Sequence, residues 1–319
     1  MHAIRQHEFG GADVLRYEEV PDVVPGVGQV RVAVRAAGVH LLDTSLREGA
    51  EGGPFPLPPL PYTPGREVAG VVDAVGADVD ARWLGKRVTA HLGGAHGGYA
   101  ELAAVNVASL HEVPGHVTDA QAVAMIGTGR TAVGVLRQAR LERGDVVLVT
   151  AAAGGLGALF VQAAKAVGAT VVGVASGAKL DRVAADHAVD YTLPDWADEV
   201  RARVGEVTAV LDGVGGDAGR QALELLGVGG RIVLYGWSSG THTRIETLDL
   251  YSRGLTAAVA VGPRLLKGVT LRDLEEQALA ALDEGLLTPL TTVFPLAGTA
   301  RAHTALQNRD TVGKVVLEP

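Results

Sequence analysis

Aliphatic runs and amphipathic stretches alternate, with short connections, between residues 145 and 236. Valine-rich runs of this length are typical of buried strands, and longer stretches with apolar residues at helical spacing are typical of helices. The predicted strands cover 145–150, 170–176, 188–192, 207–215 and 229–236. The predicted helices cover 155–167, 178–187, 196–204 and 217–226. This alternation predicts a doubly wound parallel sheet with helices on both faces and a ligand site at the carboxyl ends of the strands.

The chain on either side of this block has a different pattern, in which apolar and polar residues alternate over short segments. These segments include 29–39, 66–76 and 86–94, and glycine or proline residues separate them. Proline is rare in central strands and helix interiors, and between Pro114 and Pro263 the chain has only Pro194. The pattern predicts an antiparallel or barrel-like β domain over 1–118, completed by 263–319, and an α/β domain over 119–262.

Composition narrows the possible functions. Hydrophobic residues make up 47% of the chain and 43 residues are glycine, as in an α/β protein with aliphatic strands. The net charge of -8 argues against a nucleic-acid or anionic-membrane surface, and no apolar run is long enough to span a membrane. The absence of cysteine excludes disulfides, thiolate zinc sites and a cysteine nucleophile. Since the first residues do not resemble a signal peptide, we expect a cytoplasmic protein.

The segment "VTAAAGGLG" at 149–157 lies between a predicted strand and a predicted helix. In this context a glycine-rich turn is typical of a dinucleotide site, where backbone N–H groups at the helix start face a pyrophosphate. Ala152 stands where the usual fingerprint begins with glycine, which costs little if its φ is negative. The residues that we expect to approach the cofactor are Ala153, Gly154, Gly155 and Leu156. The alternative is a tight turn without a ligand.

The end of the second predicted strand indicates which dinucleotide binds. NAD-specific folds place an acidic residue there to bind the ribose hydroxyls. This chain has Ser176 and Gly177 at that point, followed by Lys179. The missing carboxylate and the nearby ammonium favour the 2′-phosphate of NADP(H). The alternative is that Lys179 is an ordinary surface residue in the first turn of a helix.

Several motifs together resemble the zinc-independent quinone oxidoreductases of the medium-chain dehydrogenase/reductase superfamily, the zeta-crystallin-like family. They are "DVLRYEEVP", "VAVRAAGVHLLDTSLREG", "LPYTPGREVAGVV", "GGYAELA", "GTGRTAVGVL", "AAAGGLG", "VLDGVGG" and "VGKVVLEP", and they span the chain. The resemblance implies a GroES-like β domain and a Rossmann domain with the ligands between them. It also implies NADPH-dependent reduction of quinones or related α,β-unsaturated carbonyls, and a homodimer formed through the Rossmann domains.

The resemblance also assigns cofactor contacts. Lys179, Tyr191 and Arg309 match residues around the adenosine 2′-phosphate. Arg130 and Thr131 match a segment that passes near the cofactor. The loop beside the nicotinamide corresponds to Tyr235, Gly236, Trp237 and Ser238.

The candidate catalytic residues are His40, Asp43 and Tyr62, and Trp237 is a further candidate near the reacting carbonyl. His40 is a potential hydrogen-bond or proton donor to that carbonyl, or a packed pocket residue. We expect Asp43 to orient its neighbours and Tyr62 to line the substrate site. Zinc relatives place a cysteine ligand at the His40 position and a histidine at the Arg66 position. Because a guanidinium has no lone pair for a metal, we expect no catalytic zinc.

The substrate is less well defined than the cofactor. Quinone reductases of this family often have asparagine at the position of His40, so a reductase of 2-alkenals or enoyl thioesters is an alternative on the same scaffold. A second alternative is a dinucleotide-binding protein with a structural or regulatory role. The pair His91 and His96 lies in a glycine-rich loop without a third ligand nearby, and we interpret both as loop residues.

Overall fold

The computed structural model describes residues 1–50 and 56–319, and the chain divides into two compact units. The described strands are β1 (His2–Gln6), β2 (Leu15–Glu19), β3 (Gln29–Val39), β4 (Glu67–Val75), β5 (Arg87–His91), β6 (Leu102–Asn106), β7 (Leu110–Glu112), β8 (Val146–Val149), β9 (Thr170–Ala175), β10 (His187–Asp190), β11 (Val207–Asp212), β12 (Leu226–Leu234), β13 (Thr256–Val259), β14 (Thr291–Pro295) and β15 (Lys314–Glu318). The described α-helices are α1 (Leu41–Glu48), α2 (Asp119–Ala124), α3 (Arg130–Ala139), α4 (Gly155–Ala166), α5 (Trp196–Val204), α6 (Gly216–Glu224), α7 (Thr247–Arg253), α8 (Leu271–Asp283) and α9 (Thr299–Gln307).

The first unit contains both chain ends, Met1–Gly127 and Leu290–Pro319. Its main sheet has the strand order β14-β15-β3-β4-β5-β7, and β6 also pairs with β3. The pairing is antiparallel except between β14 and β15. Alternate side chains of β3, such as Val30, Val32 and Val34, are buried in the core of this unit. The predicted antiparallel β domain is confirmed.

The second unit, Thr128–Pro289, contains a parallel sheet with the strand order β10-β9-β8-β11-β12-β13. Every adjacent pair in that order is parallel. The chain runs from β8 outward to β10, then returns to β11 on the other side of β8 and continues to β13. The order therefore reverses between β8 and β11, which confirms the predicted doubly wound sheet and places the ligand crevice of such folds at these two strand ends.

The two units meet in the sequence at different points from the predicted boundaries of 118/119 and 262/263. Helix α2 contacts β3 and β4, so the first unit continues to Gly127. Helix α8 contacts α3, so the second unit continues to Pro289.

The prediction of a helix over 178–187 was wrong. The chain forms a 3₁₀ helix at Gly177–Arg182, and β10 then begins at His187. The side chain of Asp186 accepts a hydrogen bond from the Val171 N–H at 2.9 Å, and the Asp186 N–H donates to the Val171 carbonyl at 3.0 Å. These bonds hold the segment against β9, so the helix ends early. No helix of the described chain is long and apolar enough to cross a membrane.

Candidate functional site

In the turn between β8 and α4, the residue with a positive φ is Ala151, one residue before Ala152, where the usual fingerprint has its first glycine. Ala151 has a φ of 51°, in the left-handed region that favours glycine, whereas Ala152 is absent from the residues with positive φ. The Ala152 N–H donates to the Val174 carbonyl at 3.0 Å, and the Ala152 side chain is buried. Glycine is therefore not required at position 152, as the sequence predicts.

Two glycines allow α4 to begin close to this turn. A Cβ atom at Gly157 would lie 2.2 Å from the Ala151 carbonyl oxygen, and one at Gly154 would lie 3.1 Å from the same atom. Gly154 is the N-cap of α4, and no side chain of the described residues caps this helix. The N–H groups of the first turn have no partner within the helix, and they carry the positive end of the helix dipole. The start of α4 therefore fits a dinucleotide pyrophosphate.

A buried carboxylate joins the two strands at which the sheet order reverses. Asp212, at the end of β11, has no solvent exposure and accepts a hydrogen bond from the Thr150 hydroxyl at 2.9 Å. The Thr243 hydroxyl donates to its other oxygen. The N–H groups of Val214 and Gly215 also donate to Asp212, at 3.0 and 3.2 Å. Asp212 thus fixes the ends of β8 and β11 and the loop that follows β11.

The loop after β12 lies against the same strand ends. The Tyr235 hydroxyl donates to the Thr150 carbonyl at 3.0 Å, and the Ser238 N–H donates to the Gly213 carbonyl at 3.0 Å. A Cβ atom at Gly213 would lie 2.2 Å from the Tyr235 ring. Trp237 is 50% exposed. The predicted segment 235–238 is therefore placed at the crevice of the parallel sheet, and Trp237 presents an aromatic surface there.

The residues predicted around the 2′-phosphate fall into two groups. Ser176 and Lys179 follow β9, and the Lys179 N–H donates to the Ser176 carbonyl at 2.8 Å. Tyr191 follows the adjacent strand β10, and its N–H donates to the Ala175 carbonyl at 3.2 Å. Arg309, by contrast, belongs to the other compact unit, where it is exposed after α9. Thr131 lies in the first turn of α3, within the second unit.

The first unit has a buried polar cluster around His40, which precedes α1. The His40 Nε2 atom lies 2.5 Å from the Glu67 carboxylate, and the Lys314 ammonium lies 2.9 Å from the other oxygen of that carboxylate. The Lys314 Nζ atom is also 2.8 Å from His40 Nε2. The Nε2 atom of His40 is therefore in contact with both Glu67 and Lys314. Neither Glu67 nor Lys314 was predicted from the sequence as part of this site.

The Glu67 carboxylate lies in a space that two glycines leave open. A Cβ atom would approach it to 2.2 Å from Gly38 and to 1.4 Å from Gly127. Burial alone would raise the pKa of Glu67, but the facing His40 and Lys314 groups hold this pKa well below its usual value. Burial lowers the pKa of Lys314, and the charge of Glu67 partly offsets that effect. The pair is ionised together, with each charge compensating the other.

Asp43 organises the start of α1 and does not face an open site. Its carboxylate accepts hydrogen bonds from the His40 N–H at 2.8 Å and the Tyr99 hydroxyl at 2.9 Å, and Arg66 lies 3.7 Å away. Asp43, Tyr99 and Arg66 are all buried. Half-buried Tyr62 has its pKa raised to about 12 by burial and by the charge of Asp43. Its phenol is therefore neutral at pH 7 and can donate a hydrogen bond.

Models of two protein families match the chain. The alcohol dehydrogenase GroES-like domain matches residues 26–115, and the zinc-binding dehydrogenase family matches residues 183–317. Among curated proteins, a quinone oxidoreductase of Pseudomonas aeruginosa is 33% identical, and the match covers 98% of this chain and 97% of the relative. A 2-haloacrylate reductase of a Burkholderia species is also 33% identical, with the same coverage of both chains.

Solved structures of the same fold match the whole chain. An NAD-dependent alcohol dehydrogenase is 31% identical, with a TM-score of 0.87 and full coverage of both chains. The Escherichia coli quinone oxidoreductase in complex with NADPH is 28% identical, with a TM-score of 0.84 and full coverage of both chains.

The residues around His40 do not fit the zinc ion that one family description implies. Nε2 of His40 lies 2.5 Å from the Glu67 carboxylate and 2.8 Å from the Lys314 ammonium, so no metal has room at this nitrogen. The guanidinium of Arg66 lies near Asp43. Within residues 1–50 and 56–319, no three metal-binding side chains are grouped to hold an ion. Two cations in the cluster oppose a divalent metal there.

Glu67→Gln is expected to lower the free energy of unfolding by about 3 kcal/mol, because it leaves the Lys314 ammonium buried without its counter-charge. Adding Lys314→Met should restore part of this loss. Urea-unfolding curves at pH 7 measure both effects. Glu112→Gln is the matched control, since Glu112 forms an exposed pair with Lys86, and should change stability by less than about 1 kcal/mol. Equal losses for Glu67→Gln and Glu112→Gln would contradict the interpretation of a coupled buried pair.

Proposed function

We propose that this chain, which belongs to the medium-chain dehydrogenase/reductase superfamily together with the quinone oxidoreductases, is an NADPH-dependent reductase that does not use zinc. Its proposed substrates are quinones or related α,β-unsaturated carbonyl compounds. The oxidoreductase class follows from the full-length similarity to quinone oxidoreductases and a 2-haloacrylate reductase. The preference for a conjugated acceptor is our proposal, because both names denote reduction of conjugated compounds.

The uncapped start of α4 at the reversal of strand order is the observation that carries this proposal. Bound NADPH supplies the hydride. The chain holds the pyrophosphate with N–H groups of the α4 first turn, including those of Gly155 and Leu156. Ser238 is fixed by a backbone hydrogen bond to Gly213 in the loop after β11. We propose that Ser238 and the adjacent Trp237 position the nicotinamide. Alignment and exclusion of water are the contributions that a protein makes to such a reaction.

We propose NADPH rather than NADH because of the residues that follow β9. Ser176 and Gly177 stand where NAD-specific folds have an acidic residue, and Lys179 follows them. The similarity to an NADPH complex supports this choice, whereas the similarity to an NAD-dependent alcohol dehydrogenase favours NADH. We propose that Lys179 and Tyr191 bind the 2′-phosphate. Lys179 provides the charge that distinguishes the two cofactors.

His40 in its protonated form is the proposed donor to the carbonyl oxygen of the substrate, through Nδ1, because Glu67 and Lys314 contact its Nε2 atom. Its side chain is 24% exposed, while Glu67 and Lys314 fix the ring from the buried side. A fixed donor stabilises the negative charge that develops on the oxygen as the hydride arrives. Tyr62, neutral at pH 7, is a second donor, and Asp43 positions α1.

A homodimer formed through the parallel sheets is also proposed. Strand β13 forms one edge of that sheet in the described chain, and Val259 on it is 54% exposed. Leu248 and Tyr251 of α7 are exposed by 69% and 85%. Unpaired strand edges and exposed apolar side chains favour association with another chain.

Sedimentation velocity should show that the wild-type chain is a dimer. Val259→Lys should weaken the dimer, because it places a charge at the exposed edge strand. A monomeric wild-type chain at micromolar concentration would exclude the proposal.

The purified protein should oxidise NADPH with a quinone, an enone, a 2-alkenal or 2-haloacrylate, and much more slowly with an unconjugated ketone. Absorbance at the NADPH band measures each rate, and the fastest acceptor identifies the substrate class. Since the proposed site has no metal, pre-incubation with a chelator should leave the rate unchanged and elemental analysis should find no stoichiometric zinc. Tight NADPH binding without oxidation by any acceptor would indicate a binding protein. Loss of activity with the chelator would overturn the zinc-independent mechanism.

Lys179→Ala should weaken NADPH binding by about tenfold or more and change NADH binding by less than about twofold. A charge-assisted hydrogen bond to the phosphate is worth about 1.5–3 kcal/mol, and NADH lacks this group. Fluorescence titration with both cofactors measures the ratio. Lys165→Ala, at an exposed lysine on α4, is the matched control and should leave both affinities unchanged. Equal weakening of NADPH and NADH by Lys179→Ala would refute the assignment.

A further inference from the structure

An acidic residue that the sequence pattern does not reveal lies beside the proposed ribose position. Asp190 is the last residue of β10, and it pairs in register with Ala175, the last residue of β9. One Asp190 oxygen, Oδ2, faces Gly177 so closely that a Cβ atom at residue 177 would lie 2.4 Å from it. The missing side chain of Gly177 therefore leaves the space that this carboxylate occupies.

The position of this carboxylate matters because dinucleotide-binding sheets hold the adenosine ribose at the end of their second strand. In this chain β9 is that strand, and Gly177 is the second residue after its end. The acid that NAD-specific folds carry on the second strand is absent from β9, but a carboxylate reaches the same point from β10. Lys179, two residues beyond Gly177, brings the opposite charge to the same turn.

We propose that Asp190 is a specificity-determining residue that limits the preference of this chain for NADPH over NADH. The inference rests on the proposed dinucleotide-binding function. Oδ2 of Asp190 accepts a hydrogen bond from the ribose hydroxyls of NADH and repels the 2′-phosphate of NADPH, whereas Lys179 attracts that phosphate. The two residues oppose each other, so the chain binds both cofactors with a modest difference in affinity.

A purely structural role of Asp190 can be distinguished by mutation from the proposed role in cofactor specificity. The N–H and the hydroxyl of Thr192 both donate to Oδ1, at 3.0 and 2.6 Å, and these bonds close the turn after β10. Asparagine keeps the Oδ1 acceptor and nearly the same shape, but it has no negative charge. Asp190→Asn therefore preserves the turn and removes only the proposed electrostatic effect.

The experiment compares wild type and Asp190→Asn by titration with NADPH, NADH, 2′,5′-ADP and 5′-AMP at low ionic strength. We expect Asp190→Asn to bind NADPH and 2′,5′-ADP about three- to tenfold more tightly, and NADH and 5′-AMP equally or more weakly. The difference for NADPH should shrink at high salt, because salt screens exposed charges. An unchanged ratio of NADPH to NADH affinity, or the same change for both, would overturn the proposal.

Two further variants separate charge from structure. Glu284→Gln removes one exposed negative charge at the end of α8, and it should leave the cofactor ratio unchanged. Asp190→Ala removes both the charge and the acceptor for Thr192, so it should shift the ratio as Asp190→Asn does while lowering the thermal midpoint. A shift in Asp190→Ala alone would attribute the effect to the turn and refute the proposal. If wild type binds neither cofactor, the proposed function itself fails, and this inference fails with it.

Discussion

The carboxylate of Asp212 is the interaction on which the parallel sheet and its loops depend. It accepts hydrogen bonds from Thr150 and Thr243 and from the backbone after β11, so it fixes both strands at which the sheet order reverses. A buried carboxylate is costly unless donors satisfy it, and here four donors do so. The crevice is consequently formed before any ligand binds, and the loop at 235–238 is held by the same framework.

The alternation of apolar runs was sufficient to predict β8 to β12 and a doubly wound sheet, because each buried parallel strand is a short continuous aliphatic segment. The helix over 178–187 was wrong because its end depends on Asp186 bonding to Val171, a tertiary contact that has no local signal. The boundaries at 127/128 and 289/290 likewise depend on which sheet or helix α2 and α8 contact.

Some residues of the candidate site could be predicted from the sequence and others could not, for a similar reason. The glycine turn and Lys179 are local in sequence, and a motif identifies them. Glu67 and Lys314 come together only in the folded sheet, although a charged residue beginning an aliphatic strand is a usable signal for each. Asp190 was missed because the fingerprint concerns the second strand, whereas this acid belongs to the third. A sequence motif describes one segment of the chain, whereas the site also contains residues of other strands that pair with that segment in the folded sheet.

The left-handed conformation of Ala151 affects which residues the cofactor turn can accept at position 151. A residue with a side chain gives up about 1–2 kcal/mol in this conformation, which glycine would recover. Glycine would also give the unfolded chain more freedom, which costs stability of about 0.4–1 kcal/mol. The second effect offsets part of the first, so alanine is tolerated in a conformation that favours glycine. The turn keeps its shape because neighbouring hydrogen bonds, rather than residue 151, determine it.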